Sequence, residues 1–271
     1  MSMTGGYVEF FNLEERPFSL TSDPRFFFKS RSHGRALESL TFGLRNCERQ
    51  LVVTGDLGVG KTTFCRTLVD QLRKHVPVSF VPNPLLTPGA FARLLEEDLG
   101  VTGLEELAAR QREAVVIIDE AHLMPAPLVH QILALAARQD SRFPCLRCVF
   151  VGQTCGNLVR IGIPELDELV TSRIRLLPLG REECASYVDH RLSVAGAMHR
   201  VRFAPRALDY IFALSGGVPR LVNLLCERAL QEAAMTGSEA IEPATVDLAA
   251  ATLQLLRSRS RKFRWYTKRV S

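Results

Sequence analysis

Residues 51–63 read LVVTGDLGVGKTT. Gly55, four further residues, Gly60, Lys61 and Thr62 have the spacing GxxxxGK[ST], with an apolar run before it and the helix-like FCRTLVDQL after it. These residue types at this spacing fit one chemistry. Glycines let successive backbone N–H groups curl around phosphate oxygens, and the helix that follows points its positive end at them. Lys61 reaches the β- and γ-phosphates, and Thr62 places a hydroxyl on Mg²⁺. Gly55, Gly58, Val59, Gly60, Lys61, Thr62 and Thr63 are therefore the candidate nucleotide-binding residues.

A second constellation is VVIIDEAH, where Asp119 and Glu120 end an apolar run. Asp119 would hold Mg²⁺ through its water shell, with Thr62 as the other metal-site residue. Glu120 would polarise the attacking water as general base. An acid pair, and not an aspartate alone, points to hydrolysis over passive binding. Gln153, in VFVGQT, would orient that water and touch the γ-phosphate. Two arginines complete the candidate set, because a planar guanidinium fork suits phosphate oxygens. Arg173, in ELVTSRIRLL, would reach the γ-phosphate of a neighbouring subunit, with Arg175 as its rival. Arg220, in SGGVPRLVNLLC, would sense the nucleotide in its own subunit.

The elements that must position these residues are legible as alternation. Apolar runs at Leu51–Thr54, Val76–Val81, Val115–Asp119, Leu146–Gly152 and Ile174–Leu177 predict strands. Between them, 62–75, 87–99, 127–137 and 164–170 read as helices, and Ser32–Arg45 precedes them as another. Such alternation predicts an α/β fold, a parallel sheet covered on both faces. From Arg181 the strands stop. Residues 181–195, 205–214, 219–235 and 243–256 read as helices, with Pro205, Pro219 and Pro243 near their starts, where a missing N–H costs little. The boundaries predicted are an N-terminal segment 1–45 packing on the nucleotide domain, an α/β core 46–179, a helical lid 180–256 and a tail 257–271.

Composition limits the alternatives. The formal charge is +5, but the tail RSRSRKFRWYTKRVS contains seven Lys or Arg and no acid, so residues 1–256 carry a net −2. The body is not coated for nonspecific nucleic-acid binding. No secretory leader is recognisable, and no run of about 18 apolar residues predicts a membrane span. Seven scattered cysteines suit a reducing cytoplasm. Cys145 and Cys148 form a CxxC without a second pair at zinc spacing, and read as buried or neutral thiols.

Together the motifs resemble those of the AAA+ P-loop ATPases, and more closely the ExeA/GspA-like ATPases of bacterial secretion and pilus biogenesis. The resemblance covers nearly the whole chain. It runs through YVEFFNLEERPFSLTSDPRFFF, SHGRALESLTFGL, GDLGVGKTTFCRTL, IIDEAH, VGQ, PEL, SRI, RLSVAG and SGGVPRLVNLLCERAL in order. It implies a nucleotide domain with a helical lid, ATP and Mg²⁺ as cofactors, and a homo-oligomeric ring or open ring. It also implies that Pro17, Phe18 and the segment to His33 lie near the adenine. Family members often read GQ-P-E-L after the sensor strand, where this chain has GQTCGN. Membrane-anchored members continue through a spanning helix into a peptidoglycan-binding part, whereas these residues stop at Ser271.

Two functions are compatible with this reading. One is an ATPase serving an envelope machine, a type II secretion system or type IV pilus, working with envelope-complex proteins in the cytoplasm or peripherally at the inner membrane. The other is an ATP-dependent DNA-binding regulator of the kind that controls transposition. The tail fits an anionic membrane, where each basic residue contributes about 1 kcal/mol and Trp265 and Tyr266 suit the interface. It also fits a phosphate backbone. The basic cluster Arg25, Lys29, Arg31 and Arg35 keeps DNA as a candidate partner, while the near-neutral body and the closer motif match favour the envelope.

Overall fold

The computed structural model describes residues 6–46, 48–102, 106, 113–137, 146–154, 164, 168, 170–197 and 200–253. The tail 257–271, Cys145 and most of the helix read at 164–170 lie outside them. Two compact units divide the chain: Ser22–Leu177, and Met1–Thr21 together with Pro178–Ser271.

The first unit is built on five parallel strands, β1 (Gln50–Gly55), β2 (Val78–Val81), β3 (Ala114–Ile118), β4 (Leu146–Gln153) and β5 (Ser172–Leu176), in the order β2-β3-β4-β1-β5. Strand alternation sends each side chain to one of two apolar layers. Val52, Val116, Ile118, Cys148 and Phe150 face one layer, filled by Phe91 and Leu95 of α4 (Pro88–Leu99) and Leu128 and Ile132 of α5 (Ala126–Ala137). Leu51, Val53, Val115, Ile117, Val149 and Val151 face the other. It is filled by Leu37, Leu40 and Leu44 of α2 (Arg31–Arg45) and Phe64, Leu68 and Leu72 of α3 (Lys61–Leu72). Both faces are covered, which is why the strands read as unbroken apolar runs.

Local chemistry sets the helix ends. Ser30 caps α2, accepting the His33 N–H at 3.3 Å, and Thr87 caps α4, accepting the Ala90 N–H at 3.2 Å ahead of Pro88. Ser79 on β2 donates to Asp98 Oδ2 on α4 at 2.6 Å, which satisfies a buried hydroxyl where strand meets helix. Of the basic cluster in this unit, Arg25 pairs with Asp23 at 2.7 Å and Lys29 with Glu38 at 3.2 Å.

The second unit is helical, with α6 (Arg181–Val194), α7 (Pro205–Ser215), α8 (Pro219–Thr236) and α9 (Pro243–Thr252). Val222, Leu225, Cys226, Ala229, Leu230 and Ala233 make α8 its buried spine. Two short strands, β6 (Arg202–Phe203) and β7 (Ala240–Ile241), also pair here. The sequence reading expected no strand after Arg181; two residues apiece are too few to register as periodicity.

A second difference concerns the N-terminus. Residues 6–21, read with 22–45 as packing on the nucleotide domain, belong to the helical unit. Helix α1 (Tyr7–Phe10) hydrogen-bonds α8 through Tyr7 Oη to Glu227 Oε2 at 2.6 Å. The buried Arg191 guanidinium of α6 donates to the Pro17 carbonyl, to the Ser19 carbonyl at 3.0 Å and to Tyr187 Oη at 3.1 Å, and Tyr187 donates to Asn223 at 2.8 Å. Phe18 is buried edge-on to Phe203. Pro17 and Phe18 are thus structural parts of this unit. The sequence alone does not reveal this, because the partners are more than 170 residues away.

Candidate nucleotide site

The sheet order brings the motif residues together. β4 lies between β1 and β3, and Gly55 is in register with Gln153. The glycine loop, the acid pair and Gln153 therefore all leave the carboxyl ends of three adjacent strands, where an open α/β sheet binds ligands.

Between β1 and α3 the chain turns through Gly58 (φ +83°) and Gly60 (φ +100°), left-handed conformations that only glycine adopts without strain. Gly55 must lack a side chain, because a Cβ would stand 2.8 Å from Val59 Cγ2 and 3.2 Å from Leu176. Val59 itself is fully buried and anchors the loop from below. Lys61, also buried, donates from Nζ to the carbonyls of Gly55 at 3.1 Å and Asp56 at 3.3 Å, so its ammonium is held across the mouth of the loop. Thr62 and Thr63 form the first turn of α3, at its positive end.

Thr62 Oγ1 donates to Asp119 Oδ2 at 2.6 Å, joining the two motifs across 57 residues of sequence. The other carboxylate oxygen, Oδ1, accepts the Glu120 N–H at 2.9 Å. Asp119 is buried and its backbone is fixed to the adjacent strand by Asp119 N–H to Val81 O at 2.9 Å. A hydroxyl and a carboxylate are hard oxygen donors. Magnesium needs only one or two protein oxygens beside phosphate and water, so this pair fits it. Among the described residues no cluster of His, Cys, Asp and Glu suggests any other metal.

Glu120 breaks from the strand in a left-handed conformation (φ +48°), rare for a residue with a side chain. Its Oε2 is shielded from solvent and accepts no hydrogen bond among the described residues; His122 Nδ1 lies 3.5 Å away. A carboxylate left under-satisfied at a strand end suits a general base waiting for its water. The same His122 Nδ1 accepts the Gln153 N–H at 3.4 Å, and the ring lies against Gly152. His122 thus touches both Glu120 and the end of β4. The sequence reading quoted this histidine but gave it no role. Gln153 keeps its side chain exposed.

The arginines fall in different places. Arg173 and Arg175 both lie on edge strand β5, on the opposite face from Ile174 and Leu176, and both are exposed. Arg175 Nη2 stands 3.8 Å from Asp56 Oδ2 in the same chain's phosphate loop. Arg220 is exposed in the first turn of α8, in the helical unit. The buried thiols take no part. Burial raises Cys65 far above its ordinary range and brings Cys148 up to about 12.

A glycine loop closing on a helix, an acid pair on the next strand but one, and an inserted strand ending in Gln153 define a P-loop ATPase of the AAA+ class. A family described as "AAA domain" matches residues 45–169. The chain is similar to General secretion pathway protein A of Aeromonas hydrophila, 35% identical over 263 residues and covering 90% of this chain. It spans about half, 48%, of that relative's length. Solved structures share the fold. Cdc6p from Pyrobaculum aerophilum matches with a TM-score of 0.69 at 16% identity, covering 89% of this chain and 71% of that one. The RuvB Holliday junction branch migration motor of Thermotoga maritima matches with a TM-score of 0.59 at 17% identity, covering 89% and 81%. Among the described residues no helix is long and apolar enough to cross a membrane.

Proposed function

We propose that the chain is a Mg²⁺-dependent ATP hydrolase whose turnover drives or regulates assembly of a bacterial envelope machine. The Thr62–Asp119 contact of 2.6 Å, with Glu120 held beside it, carries the catalytic part of this reading. Thr62 and Asp119 would hold the ion, which when bound would screen the phosphate charge. Lys61 and the backbone of Gly58–Thr63 bind the phosphates. Glu120 takes the proton of the attacking water, and Gln153 orients that water. Arg173 serves as the finger in a neighbouring subunit, with Arg175, 3.8 Å from Asp56 of its own loop, as its rival. Arg220 senses the nucleotide from the helical unit. These roles imply an ATP-dependent homo-oligomer.

Glu120→Gln is expected to bind ATP normally and to lose about 10²–10⁴ in turnover. Wild-type turnover would remove Glu120 from the mechanism. Arg173→Ala is expected to keep its ATP affinity and lose about 10³-fold or more in rate, the size found for arginine fingers. That loss should be partly restored by mixing with Glu120→Gln subunits, which supply the missing finger to an intact site. A normal rate would reassign the finger.

The likeness to a protein named for the general secretion pathway supports the envelope part. In a host carrying the gene, Glu120→Gln should block release of secreted proteins or surface pili while leaving both sets of structural proteins expressed. Undisturbed secretion and piliation would refute it.

A further inference from the structure

Among the described residues one buried histidine, distant in sequence from the loop, touches the phosphate loop. His33 lies in the first turn of α2, ahead of the stretch 45–169 that matches the AAA domain. It is 4% exposed, and its two ring nitrogens are both engaged: Nδ1 with Ser30 Oγ at 2.8 Å, and Nε2 with the Val59 carbonyl at 2.9 Å. A carbonyl only accepts, so Nε2 carries the proton and donates. Nδ1 then accepts from the serine hydroxyl, which in turn accepts the His33 N–H at 3.3 Å. The Phe27 and Phe64 rings stand edge-on at 6.0 and 6.4 Å and keep water from the pair. One face of α2 is sunk in the core through Leu37, Leu40 and Leu44, so the imidazole is mounted on a rigid element.

We propose that His33 is a positioning residue for the phosphate loop: by holding the Val59 carbonyl it turns the Gly60 N–H toward bound phosphate. The reasoning is planar geometry. The Val59–Gly60 peptide is trans, so its C=O and N–H point in opposite directions. With the oxygen fixed on His33, the Gly60 N–H must face away from α2. Gly60 has φ +100°, a conformation with little steric resistance to rotation of the flanking peptides. Without the imidazole the buried carbonyl has lost its donor, and the peptide turns to find another. Ser30 sets the tautomer that makes the donation possible. His33 touches no substrate; it preorganises a donor that does.

The inference rests on the ATP-site reading, and the experiment separates the two. Binding of a fluorescent ATP analogue is measured for wild type, Lys61→Ala, His33→Leu, His33→Gln and His33→Asn, with displacement by ATP and by inorganic tripolyphosphate. Folding of each is checked by thermal melting. His33→Leu is expected to weaken ATP and tripolyphosphate by the same factor, about 5- to 150-fold, the range for leaving one buried polar group without a partner. A glutamine amide reaches as far as Nε2 and can donate to Val59, so His33→Gln should bind within about threefold of wild type. Asparagine reaches only as far as Nδ1 and should behave like leucine. If His33→Leu does not fold, the contrast between glutamine and asparagine still decides. Equal affinities for those two, or a loss for ATP without one for tripolyphosphate, would overturn the proposal. Wild-type binding by every His33 variant, with binding lost in Lys61→Ala, removes the histidine alone. Unchanged binding in Lys61→Ala removes the site reading itself.

Discussion

Asp119 serves both motifs through separate oxygens, Oδ2 to the Thr62 hydroxyl and Oδ1 to the Glu120 N–H. Asp119→Asn keeps the shape but cannot accept at both positions, because one oxygen becomes an N–H₂ donor facing a hydroxyl or an amide N–H. Turnover at saturating ATP is expected to fall about 10²-fold or more, and the Mg²⁺ concentration for half-maximal rate to rise. An unchanged Mg²⁺ dependence would detach Asp119 from the metal. The thiols give a second test. Cys148 is pushed up to about 12 by burial, and Cys65 well above its ordinary value by burial and the neighbouring Asp119 charge. At pH 8 both are protonated and inaccessible, so a thiol reagent should label neither until the protein unfolds. Rapid native labelling at Cys65 would mean that α3 opens beneath the loop. That Thr62, Asp119 and Glu120 would meet beside Lys61 was legible in the sequence, because each belongs to a short contiguous motif at the end of a strand. His33 entered only as the end of a segment that the resemblance places near the adenine, and His122 was given no role. Their partners lie 26 and 31 residues away, and only the folded chain brings them together.

The strands buried on both faces were predicted almost to the residue, because β-branched runs have no polar face to blur their limits. Edge strand β5 was placed late, at Ile174–Leu177, whereas it spans Ser172–Leu176. Arg173 and Arg175 give it one solvent-facing side, which shortens the apolar signal. Helix starts were legible from Pro205, Pro219 and Pro243, and α9 spans Pro243–Thr252, with residues 254–256 of the helix read there outside the described residues. In the helical unit, Gly217 fixes a turn that no motif reading explains physically. It has φ +73°, and a Cβ would collide with the Leu179 carbonyl, while Leu179 N–H donates back to Gly217 O at 2.9 Å. Gly217→Ala is expected to destabilise this unit by about 2–4 kcal/mol, combining left-handed strain with a backbone clash. Urea unfolding measures it, and a change below about 0.5 kcal/mol would mean that the turn relaxes without cost. Arg191→Met tests the buried fork. It strands the Pro17 and Ser19 carbonyls and should cost about 2–4 kcal/mol, with three charge-assisted hydrogen bonds lost and partly offset by the apolar side chain.

At the scale of the whole chain, contiguous domains were expected and the N-terminal residues depart from that expectation. Residues 6–21 complete a unit whose other elements begin at Pro178, with Tyr7, Phe11 and Phe18 among its buried residues. Phe11→Ala should therefore cost the helical unit about 3–5 kcal/mol. Hydrogen exchange should quicken in α8 and leave β1, β3 and β4 protected; equal quickening in both sets would contradict the division. The order of synthesis gives this discontinuity a consequence for the cell. The ribosome releases Tyr7, Phe11 and Phe18 first and their helical partners last. At about 5–20 residues per second, translation of 22–177 keeps them waiting roughly 8–30 s, long enough for the α/β unit to close without them. Throughout that interval the nascent chain carries an unsatisfied aromatic segment, a natural target for holdase chaperones. A release prematurely truncated at residue 177 would never cover it.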